Sequence, residues 1–275
     1  MIDYRQLSSH INSSGKGSGI QVSEKIRTLL ISGQVGIAFL LVFINVMLFQ
    51  ASIALSNQSL GYQTKDRYAA VLSLPNVEHN QSVAYLTDIK EALSNNPKID
   101  TVAQGMRPSL FATLAIVASK TQQRFSTSAK DVDHHYFPLL EQSITQGRNF
   151  SAADIADDSA VVIVNEEMAK ALAPDGNVIG VTFTNGARVI GVVKSINIPG
   201  NNTVRPRFYF PANLARNMLI IKVKAGQEFT RQEMINTIKN VENRISLFSY
   251  SSLNENKKER LFVTTVTSIV TLVLA

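Results

Sequence analysis

The 275-residue chain has no cysteine and no tryptophan, and only 17% of it is charged. Without cysteine there is no disulfide framework and no thiolate chemistry. Soluble domains carry roughly 25% charged residues, so a part of this chain avoids water. The formal net charge of +6 would by itself point to nucleic acid or an anionic membrane surface. The lysines and arginines are scattered, however, and no basic helix or aromatic-basic platform appears. Nucleic acid is therefore not an expected partner.

Nucleotide and nucleophile motifs are missing as well. Gly15-Lys16-Gly17-Ser18 superficially resembles a phosphate loop. It lacks the upstream glycine of the Gly-x-x-x-x-Gly-Lys-Ser/Thr pattern, and no strand precedes it. It reads as a flexible linker, and any ATP hydrolysis must come from a partner chain. No Gly-x-Ser-x-Gly elbow marks a catalytic serine.

What is present begins with a long uncharged run. Val35 to Leu55 reads VGIAFLLVFINVMLFQASIAL, and the run extends back to Leu29 without a charge. About twenty apolar residues at 1.5 Å each cover a hydrocarbon core near 30 Å. A cleaved signal has a shorter apolar core and no long polar stretch ahead of it. Leu29–Leu55 is therefore expected to be a transmembrane helix. Asn45 and Gln50 lie inside it, to contact another helix or to sit near the interface. Arg5, Lys16, Lys25 and Arg27 precede the run, which places the N-terminus in the cytoplasm and the following domain outside. Lys65 and Arg67 oppose that bias, but long domains cross largely regardless of charge. After Lys257, Lys258 and Arg260 the chain ends in LFVTTVTSIVTLVLA, expected to be the start of a second, truncated membrane helix.

Between these runs the pattern is mixed α and β. Tyr68–Leu74 reads as a strand, and Ser82–Asn95 as a helix on Val83, Leu86, Ile89 and Leu93. Strands are expected at Phe111–Ala118 and Arg124–Val132. Met218–Lys224 is a strand, Thr230 and Glu233 form a capping box, and Ile245–Tyr250 alternates as a strand. Two such strand-helix-strand units suggest a split βαβ sandwich around an insertion. In the insertion, Tyr136–Ser143 is a short helix and Ala160–Val164 a buried strand capped by Asn165. Val181–Thr184 and Ala187–Val193 are expected to form a hairpin across Asn185-Gly186.

Candidate chemistry is sparse. His134-His135 is expected to lie on a strand, where neighbouring side chains point to opposite faces and cannot share an ion. Glu166-Glu167 falls in a first helical turn, where the dipole favours acids and consecutive residues diverge. Asp154, Asp157 and Asp158 lack the glycine and terminal glutamate of a calcium loop and read as a solvated turn. No catalytic, cofactor-binding or metal-ligating residue is assigned.

Four motifs in order give a resemblance. Tyr136-Phe137, Gly147-Arg148-Asn149-Phe150, Val164-Asn165-Glu166 and Val189–Val193 resemble the periplasmic core domain of MacB-like and FtsX-like ABC transporter permeases. The apolar run and the Ser252–Arg260 segment lie where that family places its helices, and the likeness holds from about Val22 onward. It implies an α+β fold. Residues 1–28 would be cytoplasmic and 29–55 transmembrane. Residues 56–256 would form the periplasmic domain, with 56–133 and 212–256 as a βαβ subdomain and 134–211 inserted. Residues 257–275 would begin the second helix. The implied role is a non-catalytic permease subunit, or half of a tandem permease, in the bacterial inner membrane. It would take no cofactor and couple a cytoplasmic ABC ATPase to movement of the periplasmic domain. Expected partners are that ATPase, membrane lipid, and a second copy or second permease unit. The leading structural elements would be the helix and the Gly147–Phe150 turn. The alternative is a membrane sensor with an extracytoplasmic domain.

Overall fold

The computed structural model describes residues 23–57, 59–157, 159–174, 176–198, 203–212, 216–259 and 261–263. The Gly15–Ser18 segment, Asp158 and the apolar run from 264 onward lie outside them.

Helix α1, Glu24–Asn57, supplies the described part of the first of two units, which divide after Ile53. At 34 residues it is roughly 50 Å long, and Glu24–Gln50 is long and apolar enough to cross a membrane. Among the described side chains its large apolar residues are mostly exposed, Phe39 and Leu29 each at 73%. Such a surface has no polar face to turn toward water. Asn45 satisfies its own donor by bonding the Leu41 carbonyl one turn back at 2.7 Å.

The second unit is built on two sheets. Its elements are β1 (Arg67–Ser73), α2 (His79–Ser94), β2 (Ile99–Gln104), β3 (Ala112–Val117), β4 (Arg124–Val132), α3 (Tyr136–Leu140), β5 (Ile144–Gly147) and α4 (Ala152–Ala156). They continue with β6 (Val161–Asn165), α5 (Glu166–Leu172), β7 (Arg188–Val193), β8 (Arg207–Pro211), β9 (Met218–Val223), α6 (Arg231–Val241) and β10 (Ser246–Ser252).

The four-stranded sheet runs β10-β1-β9-β2 with every neighbour antiparallel. This is the split βαβ order, since β1-α2-β2 and β9-α6-β10 interleave. Period-2 alternation sorts its side chains. Ala70, Leu72, Val102, Leu219, Ile221 and Val223 face the core that α2 and α6 close with Leu86, Ile89, Met234 and Ile238. Ala69, Ala103 and Ile220 face the opposite way, into a core shared with α3 and the six-stranded sheet. Helix α6 carries the expected capping box, Thr230 accepting from the Glu233 amide. Phe229 just before the cap packs in the same core as Met234, as in a hydrophobic staple.

The six-stranded sheet runs β3-β4-β8-β6-β7-β5, with β4-β8 and β6-β7 parallel. Ile163, Ile190, Val193 and Tyr209 face the shared core. Val162, Val164, Val189, Val192 and Phe208 face a third core closed by Met168 of α5 and by Phe183.

Several elements differ from the sequence expectation. The first βαβ unit closes on β2, which was not expected, because Asp100, Thr101 and Gln104 interrupt its apolar pattern. Gln104 is nonetheless fully buried, its amide bonded to the Arg216 carbonyl at 2.7 Å. Strands β3 and β4 belong to the six-stranded sheet, so residues 112–132 pair with the insertion and not with the βαβ subdomain. Strands β5 and β8 and helix α4 were also unexpected. The Asn185-Gly186 turn forms, with Gly186 at φ +85°. Its first arm makes only isolated bridges, Thr182 to Arg188 and Phe183 to Ala118, because Phe183 turns into the third core.

Candidate functional site

The Gly147–Phe150 turn joins four pieces of the second unit. Gly147 adopts φ +68°, and a Cβ there would collide with the Ile190 carbonyl oxygen, so no other residue fits without strain. The Arg148 amide bonds the same carbonyl at 3.0 Å, tying the turn to β7. The Arg148 guanidinium then forks onto Asp154, Nη1 to Oδ2 at 2.6 Å and Nη2 to Oδ1 at 3.1 Å. Asp154 also receives the Ser151 amide at 2.7 Å and completes the capping box of α4. These bonds, the Arg148 one first, hold its carboxyl well below the usual carboxylate range. Asn149 donates to the His134 carbonyl at 2.8 Å, and Phe150 is buried in the shared core. Asp154 is therefore a buried joint and not part of a solvated turn.

A second joint centres on Asn165, which is fully buried at the end of β6. Its Oδ1 accepts from the Met168 amide at 3.1 Å, capping α5, and from the Arg207 amide of β8 at 2.8 Å. Its Nδ2 donates to the Arg205 carbonyl at 2.9 Å and the Ser195 hydroxyl at 3.1 Å. One amide thus joins β6, α5, β8 and the loop after β7. The neighbouring acids converge where sequence spacing predicted divergence. Glu166 accepts the Ser195 amide at 3.0 Å, and Glu167 accepts the Ser195 hydroxyl. They fix the loop as well as meeting the helix dipole.

A third group is basic and buried. Lys130 on β4 and Arg207 on β8 are each 2% exposed. Both stand over the Phe111 ring, Lys130 Nζ at 3.8 Å and Arg207 Cζ at 4.6 Å from its centroid. Lys130 donates to the carbonyls of Arg107 at 2.8 Å and Pro108 at 3.0 Å, and to the Tyr136 hydroxyl at 3.2 Å. Burial, with Arg207 nearby, pushes its ammonium well below the ordinary lysine value. Sequence reading missed this pair, because no local pattern distinguishes a buried lysine from the many solvated ones.

His134 and His135 lie in a turn and not on a strand, and their rings stand side by side, centroids 4.0 Å apart. The opposite-face argument therefore does not apply to them. Among the described residues, no cluster of three or more His, Cys, Asp or Glu forms a metal-ligand set.

The sequence profile of the MacB-like periplasmic core domain matches residues 32–240. The chain belongs to this family. A stretch of 116 residues, 41% of the chain, is 33% identical to the macrolide export ATP-binding/permease protein MacB 1/2 of Paracoccus denitrificans (strain Pd 1222), and the match spans only 16% of that protein's length. The crystal structure of the periplasmic region of MacB from Actinobacillus actinomycetemcomitans superposes with a TM-score of 0.52 at 14% identity, over 75% of this chain and 97% of that one. At that identity the likeness is one of fold. The chain is thus a MacB-like periplasmic domain of an ABC transporter permease, preceded by an apolar helix of membrane-spanning length. The family match runs from within α1 to within α6, so both joints of the MacB-like domain lie inside it.

Proposed function

We propose that the chain acts as a permease subunit, or part of one, in a MacB/FtsX-like ABC system that couples a cytoplasmic ATPase to a periplasmic domain. The reading rests on one observation, a helix whose uncharged stretch is of membrane-spanning length, leading into a MacB-like core domain. Residues 1–28 lie in the cytoplasm, 29–55 cross the inner membrane, 56–256 form the periplasmic domain, and 257–275 begin a second crossing. Lys25 and Arg27 at the start of α1 support this orientation. The role is mechanical and non-catalytic. Hydrolysis by the ATPase moves the membrane helices, and these move the domain for export or envelope remodelling. The domain works beside a second copy or a second permease unit. Joints such as Asn165 and Arg148–Asp154 suit a body that is displaced without being deformed.

Two experiments test the reading. The chain, expressed from its complete locus, is expected to retain a cytoplasmic ABC ATPase through purification in mild detergent. Repeated recovery without one overturns the coupling. Because the chain has no cysteine, a Gln123→Cys variant carries a single thiol on the exposed turn between β3 and β4. It is expected to react with a membrane-impermeant maleimide in cells whose outer envelope has been opened. Reaction only after full lysis reverses the orientation.

A further inference from the structure

Tyr62, Arg107, Pro108, Ser109, Asn256 and Lys257 line a cleft of about 10 Å³ in the second unit. It brings two cations together, and among the described residues no carboxylate lines it. The Arg107 guanidinium is held at the cleft, its Nη1 donating to Asn256 Oδ1 at 3.0 Å. Among the described residues no ion pair joins Arg107 to an acid. The acids of the adjoining helical stretch, 253–259, are engaged elsewhere or face water. Glu255 accepts the Ser252 amide at 3.3 Å, and Glu259 is exposed.

The cleft's loop is fixed from behind. Buried Lys130 donates to the Arg107 carbonyl at 2.8 Å and the Pro108 carbonyl at 3.0 Å. The Tyr136 hydroxyl donates to the Met106 carbonyl at 2.8 Å. Arg107 is therefore presented on a backbone whose position is set before any ligand arrives, which lowers the cost of binding.

Size and place then narrow the ligand. A space of about 10 Å³ admits roughly one oxygen-sized atom, so the rest of the ligand stays outside. Tyr62 follows the end of α1 at Asn57 by five residues, at most about 18 Å of extended chain. Lys257 precedes Leu261 by four residues, and there the chain turns apolar, with Phe262 70% and Val263 61% exposed. The cleft thus lies close along the chain to both apolar runs. On the membrane reading given above, on which this inference rests, headgroups lie within its reach. A single phosphate oxygen on two cations is a weak hold for a free ion. It suffices for a headgroup, because the bilayer keeps that group at high local concentration.

We propose that this cleft binds the phosphate of an anionic phospholipid headgroup, one phosphate oxygen entering between Arg107 and Lys257. The full chain is reconstituted in nanodiscs of equal phosphatidylglycerol and phosphatidylcholine. The lipids it retains on release are then counted by native mass spectrometry. Phosphatidylglycerol is expected in about tenfold excess, since the choline cation is repelled by the two basic side chains. Arg107→Gln is expected to lower that excess about fivefold and Lys257→Gln about threefold. Ser109→Asp, which adds a carboxylate with both cations in place, is expected to abolish it. Lys258→Gln, an exposed neighbour outside the lining, is expected to leave it unchanged.

An equal fall in Lys258→Gln and Lys257→Gln overturns the proposal and leaves a diffuse surface attraction. Displacement of phosphatidylglycerol by millimolar inorganic phosphate also overturns it, and makes the cleft a site for the free ion. A chain that alkaline carbonate strips from lipid vesicles overturns the membrane reading itself. A chain that stays embedded yet shows no lipid preference overturns this site alone.

Discussion

In the four-stranded sheet every pairing is antiparallel, and its two buried polar side chains, Arg67 and Gln104, stand at strand ends. Its strength comes from apolar side chains that α2 and α6 press against one face. In the six-stranded sheet two pairings are parallel, and single polar residues hold the joints. Asn165 alone bonds the backbone of Met168, Arg207 and Arg205. Lys130 and Arg207 are buried with Phe111 between the strands' ends and the preceding loop. The first sheet accepts any apolar residues of about the right volume, because burial is non-directional. The second depends on donor and acceptor geometry that few other side chains reproduce. The two sheets should therefore fail in different ways.

The largest effect is expected from the apolar core. Phe229→Ala should cost about 3–5 kcal/mol through lost burial and the cavity left behind. Hydrogen exchange should show α2 and α6 opening first, while β6 and β7 keep their protection. Equal loss in both sheets would show that they unfold as one unit and break the contrast. Next comes Asn165→Ala, expected to cost roughly 2–4 kcal/mol from the lost cap and from buried amides left without an acceptor. Chemical denaturation reads it, and here Phe229→Leu serves as the volume-conserving control expected to cost less.

A smaller effect is expected from Arg148→Met, about 1 kcal/mol, because the guanidinium is half exposed and water screens part of the interaction. The sign with pH is fixed. The Asp154 carboxyl is held below its usual range in the folded chain, so its contribution is present above about pH 4 and fades as pH falls further. The deficit of the variant should shrink in thermal melts taken below about pH 4.

Lys130 gives the opposite dependence. Its folded value is lowered, so the unfolded chain binds an extra proton between that value and about pH 10.4, and stability should climb with pH across this window. Lys130→Met should flatten the climb. An unchanged slope would mean that Lys130 does not titrate apart from its solvated counterparts. The smallest effect belongs to Phe248→Ser, expected within about 0.5 kcal/mol because the ring is exposed.

The comparison also explains what was legible beforehand. Elements of the four-stranded sheet appeared as periodic apolar patterns with caps, and the Thr230–Glu233 box formed as expected. The exception was β2, where a buried glutamine stands in an apolar position. In the six-stranded sheet β5 was hidden by its four-residue length, and β8 by a buried arginine at its first position. The Gly147–Phe150 turn was visible as a motif, but its bond from Arg148 to Asp154 was not.

The sequence by itself determined the helix with its long uncharged run, the α+β pattern and the ordered motifs of a MacB-like domain, because length, periodicity and capping are local properties. Only the tertiary structure decided that β3 and β4 join the inserted strands and that Asp154 is buried. It alone placed Lys130 and Arg207 over one aromatic ring, and brought Arg107 and Lys257 to one cleft. Each of these depends on which distant strands pair and which faces meet. Long-range pairing is settled by the sum of many weak burials and a few directional bonds, none of which is written in a single stretch of chain.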